Sequence, residues 1–140
     1  SELYRPCDLD GILGEADFVI MITPETPETQ GLMNAKRFQL MKKTAYFINV
    51  GRGACVVLAD LVEALWSKTI AGAGLDVFEK EPLPPNHPLW TMPNVILTPH
   101  IAALEGAYLE DRRRDILIEN CKRFGSEKTL LNIVDKSTWF

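Results

Sequence analysis

Four short apolar runs alternate with helix-like stretches along this chain of 140 residues. The runs are FVIMIT, AYFINV, AGAGLDVF and NVILTP, and turn residues bound each of them. Runs of this length are typical of strands that are buried on both faces, as in parallel sheets. Between them, Asn34 can cap a helix that extends to Met41, and the stretch from Asp60 to Trp66 has a helical pattern. The alternation predicts an α/β fold with parallel strands, right-handed crossovers and helices on both faces.

The pattern also predicts where the elements lie. A long helix is expected from Ala102 to about Phe124, followed by an irregular tail from Leu130 to Phe140. In a doubly wound sheet, ligands bind in the crevice outside the carboxyl ends of the strands. The unusual residues of this sequence cluster at those ends. We expect the strands, all parallel in one sheet, near residues 17–23, 45–50, 71–77 and 94–98.

Composition narrows the classes of function. The chain is 46% hydrophobic and 24% charged, which suits a globular domain, and its net charge of -4 argues against nucleic acid as the main partner. No apolar run approaches the length of a membrane span, and the start, SELYRPCDLD, does not resemble a secretory signal. The three cysteines are far apart and form no CxxC motif. We therefore expect a cytoplasmic protein with no metal site and no membrane partner.

Arg52 follows the second apolar run, between Gly51 and Gly53. The two glycines allow the backbone to approach a ligand while the guanidinium extends into the crevice, where a carboxylate is its natural bidentate partner. The alternative is an arginine that closes a turn by pairing with a surface acid. The residues alone leave both interpretations open.

His100 and Glu81 are the other two candidates for chemistry. His100 follows Pro99 at the end of the fourth run, where an imidazole can exchange a proton near neutral pH, although a histidine at a helix start is the more common case. Glu81, in EKEPLPP, is the acid nearest the third strand end, and its loop is stiffened by prolines. A carboxylate beside His100 would fix the tautomer and favour the imidazolium. A solvated loop acid is the alternative for Glu81.

Four ordered blocks cover nearly the whole chain: ADFVIMITPETPETQGLMN, MKKTAYFINVGRGACV, LVEALWSKTIAGAGLDVFEKEPLPPNHPLW and PNVILTPHIAA. In these blocks the sequence resembles the D-isomer-specific 2-hydroxyacid dehydrogenases. The resemblance implies hydride transfer between a nicotinamide cofactor and a D-2-hydroxy acid or 2-keto acid. It further implies that Arg52 binds the substrate carboxylate and carbonyl oxygen, that His100 donates the proton to the carbonyl oxygen, and that Glu81 orients and charges His100.

Other positions match segments that line the cofactor in this family. The resemblance implies that Asp76, in GLDVF, contacts the nicotinamide carboxamide, and that Arg52 and His100 also face the cofactor. Glutamate at position 81, where the formate dehydrogenase branch has glutamine, favours keto-acid reduction. Contacts with the cofactor, chiefly through backbone atoms, are implied for Thr23, Pro24, Val50, Gly51, Ala102 and Ala103.

The GxGxxG turn that binds the cofactor pyrophosphate in this family is absent from the sequence. The expected fold is therefore an incomplete Rossmann-like, doubly wound parallel sheet that lacks the first β-α-β unit and exposes apolar surface. Residues 1–124 would form the C-terminal part of the nucleotide-binding domain, and residues 125–140 a return segment toward a substrate domain. The residue that selects NAD or NADP is also missing, so the cofactor can be either one. Alone, the chain is expected to be inactive.

Two functions from different classes remain open. One is an NAD(P)-dependent dehydrogenase that acts on a small 2-keto or 2-hydroxy acid, as a homodimer in the full-length protein. The other is an NAD(H)-sensing binding protein, because the same family includes transcriptional corepressors that resemble the enzymes. A fragment that folds but binds nothing is the third possibility. Fold alone does not separate these, because function resides in the site.

Overall fold

The computed structural model describes residues 2–102 and 107–136, and the chain divides into two compact units, Ser1–His100 and Ile101–Phe140. The first unit contains a four-stranded sheet in which every neighbouring pair of strands is parallel, in the order β1-β2-β3-β4. Every strand falls within its predicted range, which confirms the α/β arrangement. The strands are β1 Phe18–Met21, β2 Tyr46–Asn49, β3 Gly72–Leu75 and β4 Val95–Leu97.

Helices connect the strands, and two of them have caps that the structure explains. The predicted cap of α2 is confirmed, because Asn34 Oδ1 accepts a hydrogen bond from the Arg37 backbone N–H at 3.3 Å. The N-terminus of α3 is capped from a distance: the Leu58 N–H donates to Glu79 Oε2 at 3.1 Å. Glu79 thereby ties the loop after β3 to this helix. The α-helices of the described residues are α1 Leu9–Ile12, α2 Ala35–Leu40, α3 Leu58–Trp66 and α4 Ala107–Gly125.

The last helix differs from its prediction at the N-terminal end. The structure begins α4 at Ala107, places Ala102 in a turn, and does not describe residues 103–106. His100 has a φ of 56°, in the left-handed region that a right-handed helix cannot include. His100 itself therefore lies outside any right-handed helix. In the described residues, none of the helices has both the length and the apolar character that crossing a bilayer requires.

One face of the sheet packs on the core. Phe47 of β2 and Phe38 of α2 are completely buried and meet edge to face, with ring centroids 5.4 Å apart and an interplanar angle of 84°. Such a pair adds about 0.5–1.5 kcal/mol beyond the burial of its area. Leu61 and Leu65 of α3 and Leu75 of β3 are buried in the same core cluster. The sheet is thus anchored to α2 and α3 on this face.

The other face of the sheet exposes apolar side chains. Phe18 and Ile20 on β1 point away from the core, and Ile96 on β4 is 74% exposed. The expected exposure of apolar surface is confirmed. The prediction of burial on both faces is wrong for these positions, because the described helices of the first unit pack on one face. Apolar residues occupy both alternating sets of strand positions, so the sequence pattern did not distinguish the two faces.

Gly53 lies against the backbone of another loop. A Cβ atom at this position would be 1.9 Å from the Phe78 carbonyl oxygen, whereas one at Gly11 would have no atom within 4 Å. We expect Gly53→Ala to lower the free energy of unfolding by about 1–3 kcal/mol, because backbone atoms must move to make room. Gly11→Ala, in α1, is the matched control and should be neutral or stabilising by up to about 1 kcal/mol. Urea unfolding of the two variants measures this, and equal stabilities would contradict the expectation.

Candidate active site

The carboxyl ends of the four strands form one edge of the sheet. Met21 is in register with Asn49, Asn49 with Leu75, and Leu75 with Leu97. The ladder continues one residue further, because Asp76 N–H donates to the Asn49 carbonyl at 3.0 Å and an equivalent bond joins each neighbouring pair. The predicted site residues of the first unit all follow these ends closely. They are Thr23, Pro24, Val50, Gly51, Arg52, Asp76, Glu81 and His100.

Glu81 and His100 are in direct contact at this edge. Glu81 Oε2 lies 2.7 Å from His100 Nδ1, and Glu81 Oε1 accepts a hydrogen bond from the Phe78 backbone N–H at 2.9 Å. Both oxygens of the carboxylate therefore have a partner. The predicted proximity of these two side chains, 19 residues apart in sequence, is confirmed.

The contact determines the tautomer of the imidazole. An ionised carboxylate only accepts hydrogen bonds, so Nδ1 of His100 carries a proton toward Glu81. Nε2 is then the nitrogen that can exchange a proton with a ligand. The side chain of His100 is 47% exposed, which leaves it accessible to such a ligand.

The pKa of the Glu81 carboxyl lies below its usual value. Partial burial is the largest single influence and raises this pKa, but the hydrogen bonds from His100 and from the Phe78 N–H, together with the charge of the imidazolium, lower it by more. The charge of nearby Asp76 acts in the raising direction. Because the pKa is lower in the folded state, the stability that Glu81 contributes is present above its unfolded pKa and is lost as pH falls through the folded one.

A cavity of about 470 Å³ opens beside the Glu81–His100 pair. Its walls are mainly apolar, so the imidazole and the carboxylate are its principal ionisable groups. Trp90 contributes one wall and is fixed by its indole N–H, which donates to the Pro84 carbonyl at 2.9 Å. The lining residues are Phe78, Glu81, Pro82, Leu83, Trp90, Leu97, Thr98, Pro99 and His100.

Arg52 lies at the same edge but not in the wall of this cavity. Its Nη1 donates to the Gly51 carbonyl at 2.8 Å, and within residues 2–102 no hydrogen bond or ion pair joins its side chain to Glu81 or His100. The connection runs through the backbone: Gly53 packs on the Phe78 carbonyl, and Phe78 bonds Glu81. The predicted convergence on one cleft is confirmed for Glu81 and His100, which are in direct contact, and it stays a prediction for Arg52, which follows the neighbouring strand end.

Asp76 is almost completely buried, at 4% exposure, although it is an acid. The Thr98 hydroxyl donates to Asp76 Oδ1 at 2.6 Å, from the end of the neighbouring strand. The family resemblance implied a role for Asp76, whereas Thr98 was not among the predicted site residues. The sequence did contain a signal for Thr98, since Asp76 and Thr98 are both polar residues that directly follow an apolar run.

The two segments expected to line the cofactor through backbone atoms are neighbours. A Cβ atom on Gly51 would be 2.8 Å from the Thr23 carbonyl oxygen, so the turn after β2 packs closely on the chain after β1. Val50 is exposed beside it. Ala102 belongs to the second unit, and Ala103 lies outside the described residues.

The residues at this edge fit a nicotinamide group. Asp76 supplies a carboxylate and Thr98 a hydroxyl, which suit a carboxamide. Ile22 and Val50 expose apolar surface on the neighbouring strand ends, which suits an aromatic ring. The donor set is therefore compatible with the nicotinamide end of a dinucleotide.

A parallel sheet with its polar residues gathered beyond the carboxyl ends of the strands is the architecture of a Rossmann-like, nucleotide-binding α/β domain. The carboxylate–imidazole pair adds an acid–base group to that domain. The chain belongs to the D-isomer specific 2-hydroxyacid dehydrogenase family, because residues 1–102 match the model of its NAD binding domain.

Sequence similarity to known proteins supports membership in this family. The chain is 53% identical over 107 residues to the glyoxylate reductase of Thermofilum pendens, covering 76% of this chain and 31% of that protein. It is 54% identical over 99 residues to glyoxylate/hydroxypyruvate reductase B of Escherichia fergusonii, covering 71% and 31%. The chain thus spans about a third of the length of these curated relatives.

A solved structure is similar over almost the whole chain. It is the NADPH-dependent glyoxylate/hydroxypyruvate reductase of Sinorhizobium meliloti, in complex with NADP and sulfate. The TM-score is 0.86 at 38% identity, covering 98% of this chain and 44% of that one. The fold predicted from the sequence is confirmed by this similarity.

The Glu81–His100 contact can be tested by titration. In His100→Ala the carboxylate loses its imidazole partner and keeps only the Phe78 N–H, so we expect the pKa of Glu81 to rise relative to the unsubstituted chain. The measurement is the pH dependence of the Glu81 side-chain carboxyl signal by ¹³C NMR. His87→Ala, which changes the other histidine of the chain, should leave this pKa unaltered. A Glu81 pKa that is the same in all three proteins would show that the contact is absent in solution.

Proposed function

We propose that this chain forms the nucleotide-binding part of an NAD(P)-dependent reductase of small 2-keto acids, with glyoxylate and hydroxypyruvate as the first substrates to test. The observation that carries the proposal is the 2.7 Å contact of Glu81 with His100 at the carboxyl edge of a parallel sheet. The names of the relatives support this choice of substrates. The reverse reaction would oxidise the corresponding D-2-hydroxy acid.

In this mechanism His100 is the acid. Glu81 holds Nδ1, so Nε2 faces the substrate and transfers its proton to the carbonyl oxygen during reduction. The bound nicotinamide supplies the hydride. Glu81 also places a carboxylate beside the imidazole, so the protonated ring has an ion-pair partner at Nδ1. In the oxidation direction the neutral imidazole accepts the proton from the hydroxyl group.

Arg52 is proposed to bind the substrate carboxylate. Its guanidinium is permanently charged and can form two parallel hydrogen bonds with a carboxylate. Arg52 is exposed at the strand end, and among the residues that the structure describes its guanidinium bonds one backbone carbonyl, that of Gly51. The same positive charge stabilises the oxyanion that develops on the adjacent carbonyl oxygen.

The cofactor is proposed to lie along the strand ends. Asp76 would accept a hydrogen bond from the nicotinamide carboxamide, and Thr98 holds this carboxylate in place. The backbone of Thr23, Pro24, Val50 and Gly51 would line the cofactor, as would Ala102 and Ala103 from the second unit. Either NAD or NADP suits these contacts, because the two cofactors have the same nicotinamide end.

The organisation of the whole protein is also a proposal. Residues 1–124 would belong to the nucleotide-binding domain and residues 125–140 would return to a substrate domain supplied by the rest of the protein. The full-length protein would be a homodimer. Its location would be the cytoplasm, in accord with three cysteines that are all free thiols. A net charge of -4 agrees with a partner other than nucleic acid.

Turnover of a keto acid tests the function and the role of His100 together. In the full-length protein, NADPH or NADH oxidation should accompany reduction of glyoxylate or hydroxypyruvate. His100→Ala should lower kcat by about 100- to 10,000-fold with little change in cofactor affinity, because the proton donor is lost. His87→Ala is the control and should retain the activity. Tight cofactor binding without turnover of any 2-keto acid would instead favour an NAD(H)-sensing binding protein.

Arg52 variants test how the substrate is held. Arg52→Ala should raise KM for glyoxylate and lower kcat together, because the guanidinium binds the carboxylate before the reaction and stabilises charge during it. Arg52→Lys should restore little of the loss, since an ammonium group cannot form the bidentate contact. Steady-state kinetics of the full-length variants provide the measurement. Equal kinetics for the lysine variant and the unsubstituted protein would argue against the bidentate role.

A further inference from the structure

Asn49 is a buried polar side chain in an otherwise apolar strand. It is the last residue of β2, it is 1% exposed, and its strand neighbours Phe47 and Ile48 are apolar. A buried amide is destabilising unless its donor and acceptor atoms find partners. The partners of Asn49 therefore indicate what this side chain does.

Both partners belong to the turn that carries Arg52. Asn49 Oδ1 accepts a hydrogen bond from the Gly51 N–H at 3.0 Å, and Nδ2 donates to the Arg52 carbonyl at 3.1 Å. One side chain thus holds the turn on each side of the Arg52 Cα atom. The Gly51 carbonyl, which lies between these two bonds, accepts its own bond from the Arg52 guanidinium.

Packing restricts the same turn without fixing its orientation. Gly51 is pressed against the Thr23 carbonyl and Gly53 against the Phe78 carbonyl, so neither position has room for a side chain. Close packing limits where the turn lies. The direction in which the Arg52 side chain leaves the backbone depends on the conformation of Gly51 and Arg52, and Asn49 holds one peptide plane at each end of this pair, the Val50–Gly51 plane and the Arg52–Gly53 plane.

We infer that Asn49 is a positioning residue that acts through Arg52. Its amide fixes the peptide plane before Gly51 and the one after Arg52, and the guanidinium then meets the substrate carboxylate in the planar alignment that a bidentate contact requires. Asn49 itself does not touch the substrate. The inference rests on the proposed function, because it affects turnover only if Arg52 binds the substrate.

Asn49→Asp in the full-length protein is the most direct test. Aspartate has the same size and keeps an acceptor for the Gly51 N–H, but it replaces the donor to the Arg52 carbonyl with an oxygen. We expect kcat/KM for glyoxylate to fall roughly 5- to 100-fold, mainly through KM. The inhibition constant of oxalate, which reports carboxylate binding without hydride transfer, should rise in parallel. The dissociation constant of NADPH should change by less than about twofold.

Asn94→Asp is the matched control. Asn94 also uses its Nδ2 to hold a backbone carbonyl, that of Ala71 at 3.1 Å, but it lies at the amino edge of the same sheet, just before β4. The same chemical change should leave the kinetics unaltered. Asn49→Ser, which is neutral and smaller, replaces the aspartate variant if that protein does not fold, and thermal unfolding of each variant records the effect on stability.

The Arg52→Ala background separates positioning from a general structural role. If Asn49 acts through Arg52, Asn49→Asp should change kcat/KM by less than about twofold once the guanidinium is absent. An equal loss in both backgrounds would overturn the inference and leave the proposed function intact. Unaltered kinetics and oxalate inhibition in Asn49→Asp would also overturn it. If Arg52→Ala has normal kinetics, the substrate-binding role in the proposed function fails, and the inference fails with it.

Discussion

The register of the four parallel strands is the constraint on which the rest of the structure depends. Backbone hydrogen bonds continue the ladder one residue past the strand ends, into Val50, Asp76 and Thr98. A slip of one residue would turn every side chain to the opposite face, and Asn49 would leave the core. The pairing of neighbouring backbones therefore sets where the chain leaves the sheet to form the site. The contacts between side chains in the site depend on that pairing.

Loops that lack regular structure are held at this edge by contacts with distant parts of the chain. The loop after β3 is tied to α3 by Glu79 and pressed against Gly53 at Phe78. Phe78 in turn holds Glu81, whose carboxylate reaches His100. The Arg52 turn and the Glu81 loop thus share a boundary of backbone atoms. A small displacement of either loop would alter both the arginine and the acid–base pair.

The exposed face of the sheet shows that an apolar pattern does not predict which face of a strand is buried. FVIMIT has apolar residues in both alternating sets of strand positions, which is typical of a strand covered on both faces. In the structure, Met21 is buried while Phe18 and Ile20 are exposed. The pattern predicted the strand and its parallel neighbours correctly, because these depend on local preference and order along the chain. Whether each face of the sheet is covered depends on which other elements pack against it, and the sequence of one strand does not specify this.

By itself the sequence determined the element order and the parallel sheet, because apolar periodicity and turn residues act locally. It also determined the three residues proposed for chemistry, because Arg52, Glu81 and His100 lie in motifs that resemble a known family. Only the tertiary structure decided that Glu81 bonds His100 through Nδ1, that Thr98 holds Asp76, and that Asn49 holds the turn of Arg52. The first two contacts join residues about twenty positions apart. They depend on strand register and loop packing to within a few tenths of an ångström, and local sequence preferences do not carry that information.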